Sequence, residues 1–216
     1  MSTVCLRPHV HAAILDEDIV FLDVVADRYT CLAGAGVDAR LADDRVWLEL
    51  NPPFARQIVE AGLAASHAVP SPPRTGPPPR GERSGLPPDV PDATLRDAAP
   101  LLHALADTAV HYRRRSFADI VAAGSRPRTG APKVTPELEA AVARFHGWIP
   151  YAPLSAQCLL RAFILLRLLR RQGLDANWVF GVQTWPFHAH CWLQVEDLVL
   201  DDPAERTWGY TPVMVL

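Results

Sequence analysis

The sequence predicts an α+β fold in two parts: a small N-terminal β-meander followed by helices, and a C-terminal domain with one buried helix packed on an antiparallel sheet. Three observations predict it. They are short strand-like runs at the start of the chain, a cluster of prolines in the middle, and a long apolar helix followed by alternating strands. Of the 216 residues, 49% are hydrophobic, which is enough apolar material for one medium domain or two small ones.

The first 32 residues carry the pattern of a three-stranded meander. Apolar and β-branched runs occupy 9–15, 19–25 and 29–32, and short turns that contain aspartate separate them. Beyond them, apolar residues recur every three or four positions over 37–50 and 54–65, which predicts helices.

The middle of the chain is rich in proline. Nine of the 21 prolines lie between Pro70 and Pro91. Such a segment has too few apolar side chains to form a core and is expected to be an extended spacer. We therefore divide the chain into an N-terminal domain at 1–68, a linker at 69–92 and a C-terminal domain at 93–216.

Charge and cysteine content narrow the classes of function. The net charge of -3 gives no overall attraction to nucleic acid. The four cysteines lack the paired spacing of zinc sites or disulfide scaffolds, so we expect free thiols. The sequence shows no targeting segment and no apolar run of membrane-spanning length, which predicts a cytoplasmic protein that does not bind a membrane.

The C-terminal part begins with predicted helices at 93–110, 116–123 and 136–148. The helix predicted next is apolar on most sides and is bounded by Ser155 as N-cap and by Gly173 after its end. Cys158 falls in its first turn, where free backbone N–H groups and the positive end of the helix dipole favour a thiolate. The alternative is that Cys158 is a small apolar core residue.

A strand pair follows this helix. Residues 187–195 alternate cleanly, which places Cys191 on the core face and His190 on the opposite face. A short acidic turn leads to a return strand that ends at Asp201 and Asp202. Because adjacent strand residues point to opposite faces, only one of these aspartates can readily face the histidine.

A cysteine at a helix start, a histidine on a strand and an acid on the next strand are the parts of a thiol acyl-transfer site. The imidazole takes the thiol proton, and the acid orients the ring. The backbone N–H of Cys158 is expected to meet the oxyanion, with Gln157 as the candidate second donor. A metal site made of His188, His190 and Cys158 is a minor alternative, because no further cysteine or carboxylate has ligand spacing.

The run IVFLDVVADRYTCL at 19–32 resembles the strand–turn–strand of domains that hold the leader of a ribosomally made precursor peptide. The resemblance implies a winged-helix-like recognition domain, with the leader added as an extra strand at the sheet edge. The residues that it implies for leader binding are Phe21, Leu22, Asp23 and Tyr29. A small packing domain without a ligand is the alternative.

Three motifs mark the C-terminal part: CL-x-RA at 158–162, GV at 181–182 and AH-x-W-L at 189–193. They resemble the transglutaminase-like cysteine peptidases of lasso-peptide biosynthesis, the B proteins. By this resemblance Cys158 is the nucleophile and His190 the general base. Asp202 is the orienting acid, and Asp201 is the alternative for that role.

The resemblance implies a papain- and transglutaminase-like domain that cleaves the leader from the core of a lasso precursor. It also implies a separate asparagine-synthetase-like cyclase as partner, and ATP is expected only there, since this chain has no glycine-rich phosphate loop. We expect no cofactor or metal on this chain. Two alternatives stay open: an acyltransferase with the same three residues, and a non-catalytic peptide-binding scaffold.

Overall fold

The N-terminal region folds into two small antiparallel sheets. The computed structural model describes residues 1–87, 103, 105, 106, 108, 112, 114–125, 130–149 and 158–216. The N-terminal strands are β1 (Ser2–Leu6), β2 (Val10–Leu15), β3 (Asp18–Asp23), β4 (Arg28–Leu32), β5 (Arg40–Leu41), β6 (Trp47–Leu50) and β7 (Ala64–Ala65). One sheet has the order β2-β3-β4, and the other has the order β5-β6-β1-β7.

The first of these sheets confirms the predicted meander. β3 pairs antiparallel with both neighbours, with Ala12 opposite Phe21 and Phe21 opposite Thr30. The turns between the strands contain Asp16 at φ 48° and Asp27 at φ 50°. Aspartate tolerates this left-handed conformation better than most residues, which explains why these turns are rich in it.

The helix predicted within 37–50 is wrong, because that segment contains β5 and β6. β6 pairs antiparallel with β1, with Leu48 opposite Val4. Leu48 and Leu50 are both fully buried, whereas Glu49 between them is only partly covered. The apolar spacing therefore comes from the alternation of a strand paired with β1, a strand that the sequence analysis did not identify.

A helix does follow, close to the second position predicted. Helix α1 (Pro52–Glu60) has prolines at its first two positions, where a missing N–H costs nothing. It ends earlier than predicted, because the chain turns at Gly62 with φ 75° and then enters β7. The region thus combines two sheets with this helix, and the winged-helix arrangement is not confirmed.

The C-terminal half packs helices on a five-stranded sheet. The helices are α2 (Phe117–Gly124), α3 (Pro136–Trp148), α4 (Cys158–Arg171) and α5 (Ala204–Thr207). The strands are β8 (Arg83–Ser84), β9 (Asn177–Gln183), β10 (His188–Val195), β11 (Leu198–Val199) and β12 (Thr211–Val215), in the order β12-β9-β10-β11-β8. Neighbouring strands are antiparallel except β11 and β8.

Two of the predicted C-terminal helices are confirmed as α2 and α3. Ser116 and Asp119 form a reciprocal cap at the start of α2, and the Thr135 side chain caps α3. The helix predicted at 93–110 lies largely outside the described residues. In the described part of the chain, no helix has the length and apolar character needed to cross a membrane.

The proline-rich segment is extended, as expected, but its described residues are bound to both halves of the chain. Arg74 donates to the carbonyls of Arg7 and Arg45 in the N-terminal region. The Gln194 amide donates to the carbonyl of Pro79, and the Trp208 indole donates to that of Gly81, both at 2.7 Å. β8 continues this contact by pairing with β11. The segment thus satisfies backbone groups on the five-stranded sheet. The domain limits at 68 and 92 stay predictions.

One buried cluster joins the two halves of the chain. Val20 and Leu22 on one face of the meander belong to the same cluster as Phe163 of α4 and Trp178 of β9. The opposite face of the meander, which includes Phe21, packs with β1, β6 and α1 in a second cluster. The meander is therefore enclosed between two apolar layers, one of which it shares with α4 and the five-stranded sheet.

Candidate active site

Cys158 is the first described residue of α4, at the amino end of the helix. The helix is held by apolar side chains on most of its surface, from Ala162 to Leu169, and it packs on β10. It ends where Gly173, at φ 76°, reverses the chain and lets the N–H of Leu174 bond back to the carbonyl of Leu169. The sequence prediction of a buried helix that closes at Gly173 is confirmed, whereas the predicted cap Ser155 lies outside the described residues.

His190 lies on β10, opposite Gly181 of β9. Its Nε2 is 2.7 Å from Oδ2 of Asp202, and the ring also interacts with the Cys158 side chain. Since Nε2 faces the carboxylate, Nδ1 is the nitrogen left for the thiol. The structure thus brings together the three residues that the sequence analysis placed on a helix, a strand and the return segment.

The two neighbouring aspartates have different partners. Asp202 contacts His190, whereas Oδ1 of Asp201 accepts the Leu193 backbone N–H at 2.8 Å. Asp201 is fully buried, and burial raises the pKa of its carboxyl to about 7. Burial acts in the same direction on Asp202, but His190 and Arg161 outweigh it and hold the pKa of that carboxyl below its ordinary value. The geometry therefore selects Asp202 as the partner of the histidine.

Arg161 reaches both aspartates from α4. Its Nη2 lies 3.2 Å from Oδ2 of Asp202, and its Nε lies 3.9 Å from Oδ2 of Asp201. Arg161 is one helical turn after Cys158, so it lies on the same face of α4 as the thiol. Sequence analysis assigned it no role, although this spacing from the cysteine was the available signal.

The charges of Cys158 and His190 follow from the groups around them. A hydrogen bond with the Cys191 thiol, together with contacts to His190, lowers the pKa of the Cys158 thiol to about 4 against the opposing effect of burial. Burial works against a charged ring at His190, but Asp202 and Cys158 raise the pKa of the imidazole to about 9. Cys158 and His190 therefore form a thiolate–imidazolium pair at neutral pH.

Cys191 is buried, as predicted from the alternation of β10, but it also lies beside Cys158. Its side chain and its backbone both interact with the Cys158 thiol. The contact with Cys158 and burial raise the pKa of the Cys191 thiol well above its ordinary value. Cys191 therefore stays protonated as a donor beside the thiolate, a role that sequence analysis did not foresee when it treated the residue as core alone.

Two aromatic rings cover His190. The Trp192 ring lies nearly parallel to it with centroids 5.9 Å apart, and the Tyr210 ring lies 5.3 Å away. Gly181 permits this arrangement, because a Cβ there would stand 2.7 Å from the Trp192 ring and 2.8 Å from Cβ of Tyr210. The rings exclude water from one side of the imidazole and strengthen its electrostatic contacts.

Both halves of the chain form the walls of the cleft. A cavity of about 380 Å³ opens beside Cys158 and His190, and Tyr29 of β4 lines it. Asp27 and Arg115 add opposite charges to its lining. Burial raises the pKa of the Tyr29 hydroxyl, which stays neutral and able to donate a hydrogen bond.

The four residues implied for leader binding have different environments. Phe21 and Leu22 are buried at 1% and 0% exposure, so their side chains are covered by the protein, and their part in leader binding stays a prediction. Both lie on the central strand of the meander, where each face is covered. Asp23 accepts the N–H groups of Val25 and Ala26 in the following turn. Of the four, Tyr29 is the one that lines the cleft.

Gln157, the candidate second oxyanion donor, lies outside the described residues. His188, the third residue of the alternative metal site, is exposed at the start of β10. Among the described residues, no group of three or more histidine, cysteine or acidic side chains is arranged to hold a metal ion.

Comparison with known proteins gives two matches. The sequence profile of the Transglutaminase-like superfamily matches residues 102–215. The Microcin J25-processing protein McjB of Escherichia coli is 38% identical over 47 residues, which are 22% of this chain and 23% of that protein. The matched stretch thus spans less than a quarter of the relative's length. No solved structure matches the chain.

Proposed function

Because the chain belongs to the transglutaminase-like superfamily, we propose that it is a cysteine peptidase that removes the leader from a lasso-peptide precursor. The observation that carries the proposal is the position of His190 beside an open cleft, where its ring hydrogen-bonds Asp202 and interacts with Cys158. The matched relative is a processing protein for microcin J25, which supports a precursor peptide as the substrate.

In the first step, the Cys158 thiolate attacks the carbonyl carbon of the bond that joins leader to core. Negative charge develops on the carbonyl oxygen. The backbone N–H of Cys158, at the positive end of α4, stabilises it, and Gln157 is the proposed second donor. The charged His190 then gives its Nδ1 proton to the amine of the core, which leaves.

In the second step, water releases the leader. The leader is now joined to Cys158 as a thioester, and His190 is neutral. His190 takes a proton from water as the water oxygen attacks the thioester carbonyl, so the leader departs with a carboxylate and the thiolate is restored. Asp202 holds Nε2 in both steps and thereby fixes the orientation and the proton position of the ring.

We propose that the leader adds as a strand along β4. β3 is paired on both sides, whereas β4 is paired on one side among the described residues. Tyr29 of β4 lines the cleft, so a peptide strand bound along β4 can continue to Cys158. Main-chain hydrogen bonds of the added strand supply affinity, and side-chain pockets supply selectivity.

The resemblance to B proteins supports a second protein that takes up the cleaved core peptide. We propose that the core, with its amine freed, passes to a separate asparagine-synthetase-like cyclase, which uses ATP. The chain itself carries out the hydrolytic step with its own side chains.

The test uses the full-length protein and a lasso precursor peptide. We expect mass spectrometry to find a leader with a free carboxylate that takes oxygen from ¹⁸O-labelled water. Cys158→Ala is expected to stop cleavage while leader binding persists, and Cys5→Ala is the control for a thiol outside the cleft. Cleavage by Cys158→Ala contradicts the proposal, and leader binding without cleavage by the wild-type protein favours the scaffold alternative. Transfer of the leader to an added amine in place of water favours an acyltransferase.

A further inference from the structure

A second cavity, of about 790 Å³, lies where the N-terminal strands, the proline-rich segment and β12 meet. Nitrogen-bearing side chains from three separate segments line it: His9 and His11, Arg45, and Arg74. None of them belongs to the candidate active site. Val24 and Met214 are among the apolar residues that complete its walls.

The two arginines are held in place by backbone carbonyls. Nη2 of Arg45 donates to the carbonyls of Ala12 at 3.0 Å and Pro212 at 3.1 Å. The guanidinium of Arg74 donates to the carbonyls of Arg45 at 2.8 Å and Arg7 at 3.0 Å. These bonds fix the two guanidinium groups without neutralising them, because a carbonyl carries only a partial charge.

The carboxylate of Asp23 lies 3.9 Å from Nε2 of His9, but the two arginines lack such a neighbour among the described residues. In the part of the chain that the structure describes, neither Arg45 nor Arg74 forms an ion pair with a carboxylate. Burial lowers the pKa of both guanidinium groups, and the charge of Arg45 lowers that of Arg74 further. Asp44 acts on Arg74 from a distance, but its carboxylate accepts the N–H groups of Val46 and Trp47. Two cations near each other without a partner attract an anion.

Two donors at the cavity are also free. Nε of Arg74 is buried and has no hydrogen-bond partner among the described residues. The His11 ring has no hydrogen bond there either; burial, followed by Arg74, Arg45 and His9, lowers the pKa of its imidazole to about 3. A neutral imidazole keeps one N–H, so His11 has a donor left for a ligand in the cavity.

We propose that this cavity binds an oxyanion, either a free anion such as phosphate or the carboxylate of an acidic peptide side chain. Guanidinium groups match the planar, multidentate geometry of both. The peptide form rests on the proposed function, because helix α2 lines both cavities. Phe117 lines the cleft beside Cys158, and Val121 lines this one. The free-anion form does not depend on any catalytic activity.

The experiment measures binding and thermal unfolding of the full chain at fixed pH and ionic strength. Phosphate is expected to raise the unfolding midpoint relative to chloride, because it binds the folded state. Arg74→Gln is expected to weaken phosphate binding about tenfold, as the loss of one charge-assisted contact predicts. Arg56→Gln, at an exposed position on α1, is the matched control.

A second measurement covers the possibility that Arg74→Gln does not fold. In the wild-type protein, the His11 ring resonance, assigned with His11→Asn, is expected to shift saturably with phosphate, and that of the exposed His67 is not. A blocked tripeptide with a central Glu, compared with one that carries Gln, tests the other source of the anion. A shift by phosphate alone assigns a free anion, and a shift by the Glu peptide but not the Gln peptide assigns a side chain. The absence of any selective shift at His11 overturns the site.

Discussion

The indole Nε1 of Trp185 donates a hydrogen bond of 2.7 Å to Oδ2 of Asp18. Trp185 lies in the turn between β9 and β10, and Asp18 is the first residue of β3. This bond therefore attaches the N-terminal meander to the hairpin whose second strand carries His190. Phe187, two residues further on, packs against Tyr29 with centroids 5.5 Å apart and reinforces the same junction.

The junction gives a first prediction. Trp185→Phe removes the N–H and keeps an aromatic ring, so it is expected to lower the free energy of unfolding by about 1 kcal/mol. This is less than the loss of a buried hydrogen bond to a charged group would cost, because Trp185 is 76% exposed. Denaturant unfolding measures the change, and Val25→Ala, at another exposed apolar position, is the control. An unchanged midpoint contradicts a contribution of this bond to stability.

The two aspartates give a second prediction. Asp202→Asn removes the charge that holds Nε2 of His190 and is expected to reduce kcat/KM for precursor cleavage about 100-fold or more. Asp201→Asn keeps an oxygen for the Leu193 N–H and is expected to cost less than about tenfold. Cleavage kinetics of both variants show which aspartate orients His190. Equal losses argue against a specific orienting role for Asp202.

The pH dependence of Cys158 is the third prediction. With a thiol pKa of about 4 and an imidazole pKa of about 9, the thiolate–imidazolium pair exists between these values, and activity that needs it falls on both sides. Alkylation of Cys158 by iodoacetamide is expected to persist at pH 5, where an ordinary thiol is almost entirely protonated. His190→Gln removes one stabilising contact and moves the alkylation midpoint upward. A midpoint near that of an ordinary cysteine in the wild-type protein contradicts the ion pair.

Cys191 supplies the fourth prediction. Its thiol makes the largest contribution to the lowered pKa of Cys158. Cys191→Ala is therefore expected to raise the pKa of Cys158 by about one unit and to slow its alkylation at low pH. Cys191→Ser keeps a donor of similar size and is expected to restore most of the effect. Alkylation rates across pH provide the readout, and identical profiles for the Ala variant and the wild type count against the contact.

The sequence could place the residues of the candidate site because their signals are local. Cys158 follows from a helix start, and His190 follows from strand alternation. The choice between Asp201 and Asp202 could not be made from local sequence, because it depends on the residue at which the short strand β11 ends. Arg161 was visible in the helix, but its contacts require the return segment to fold back onto α4.

Longer-range pairing explains the failures of the sequence analysis. β6 has helix-like apolar spacing, and only its partner β1, more than 40 residues earlier, makes it a strand. The proline-rich segment has no core of its own, yet Gln194 and Trp208 bind its carbonyls. The burial of Phe21 and Leu22 has the same cause, because the apolar layers that cover them come from distant parts of the chain.

The shared core leads to the last prediction. Leu22 is fully buried in the cluster that also holds Phe163 and Trp178, so the meander and the catalytic half are expected to unfold in a single transition. Leu22→Ala leaves a cavity in that cluster and is expected to lower the free energy of unfolding by about 3 kcal/mol. Five of the six tryptophans lie in the C-terminal half, so tryptophan fluorescence reports mainly on that half, and far-ultraviolet circular dichroism reports on the whole chain. Both signals should shift to the same new midpoint. Two separate transitions, with the fluorescence change unaffected by Leu22→Ala, contradict a common core and restore the view of two independent domains joined by a tether.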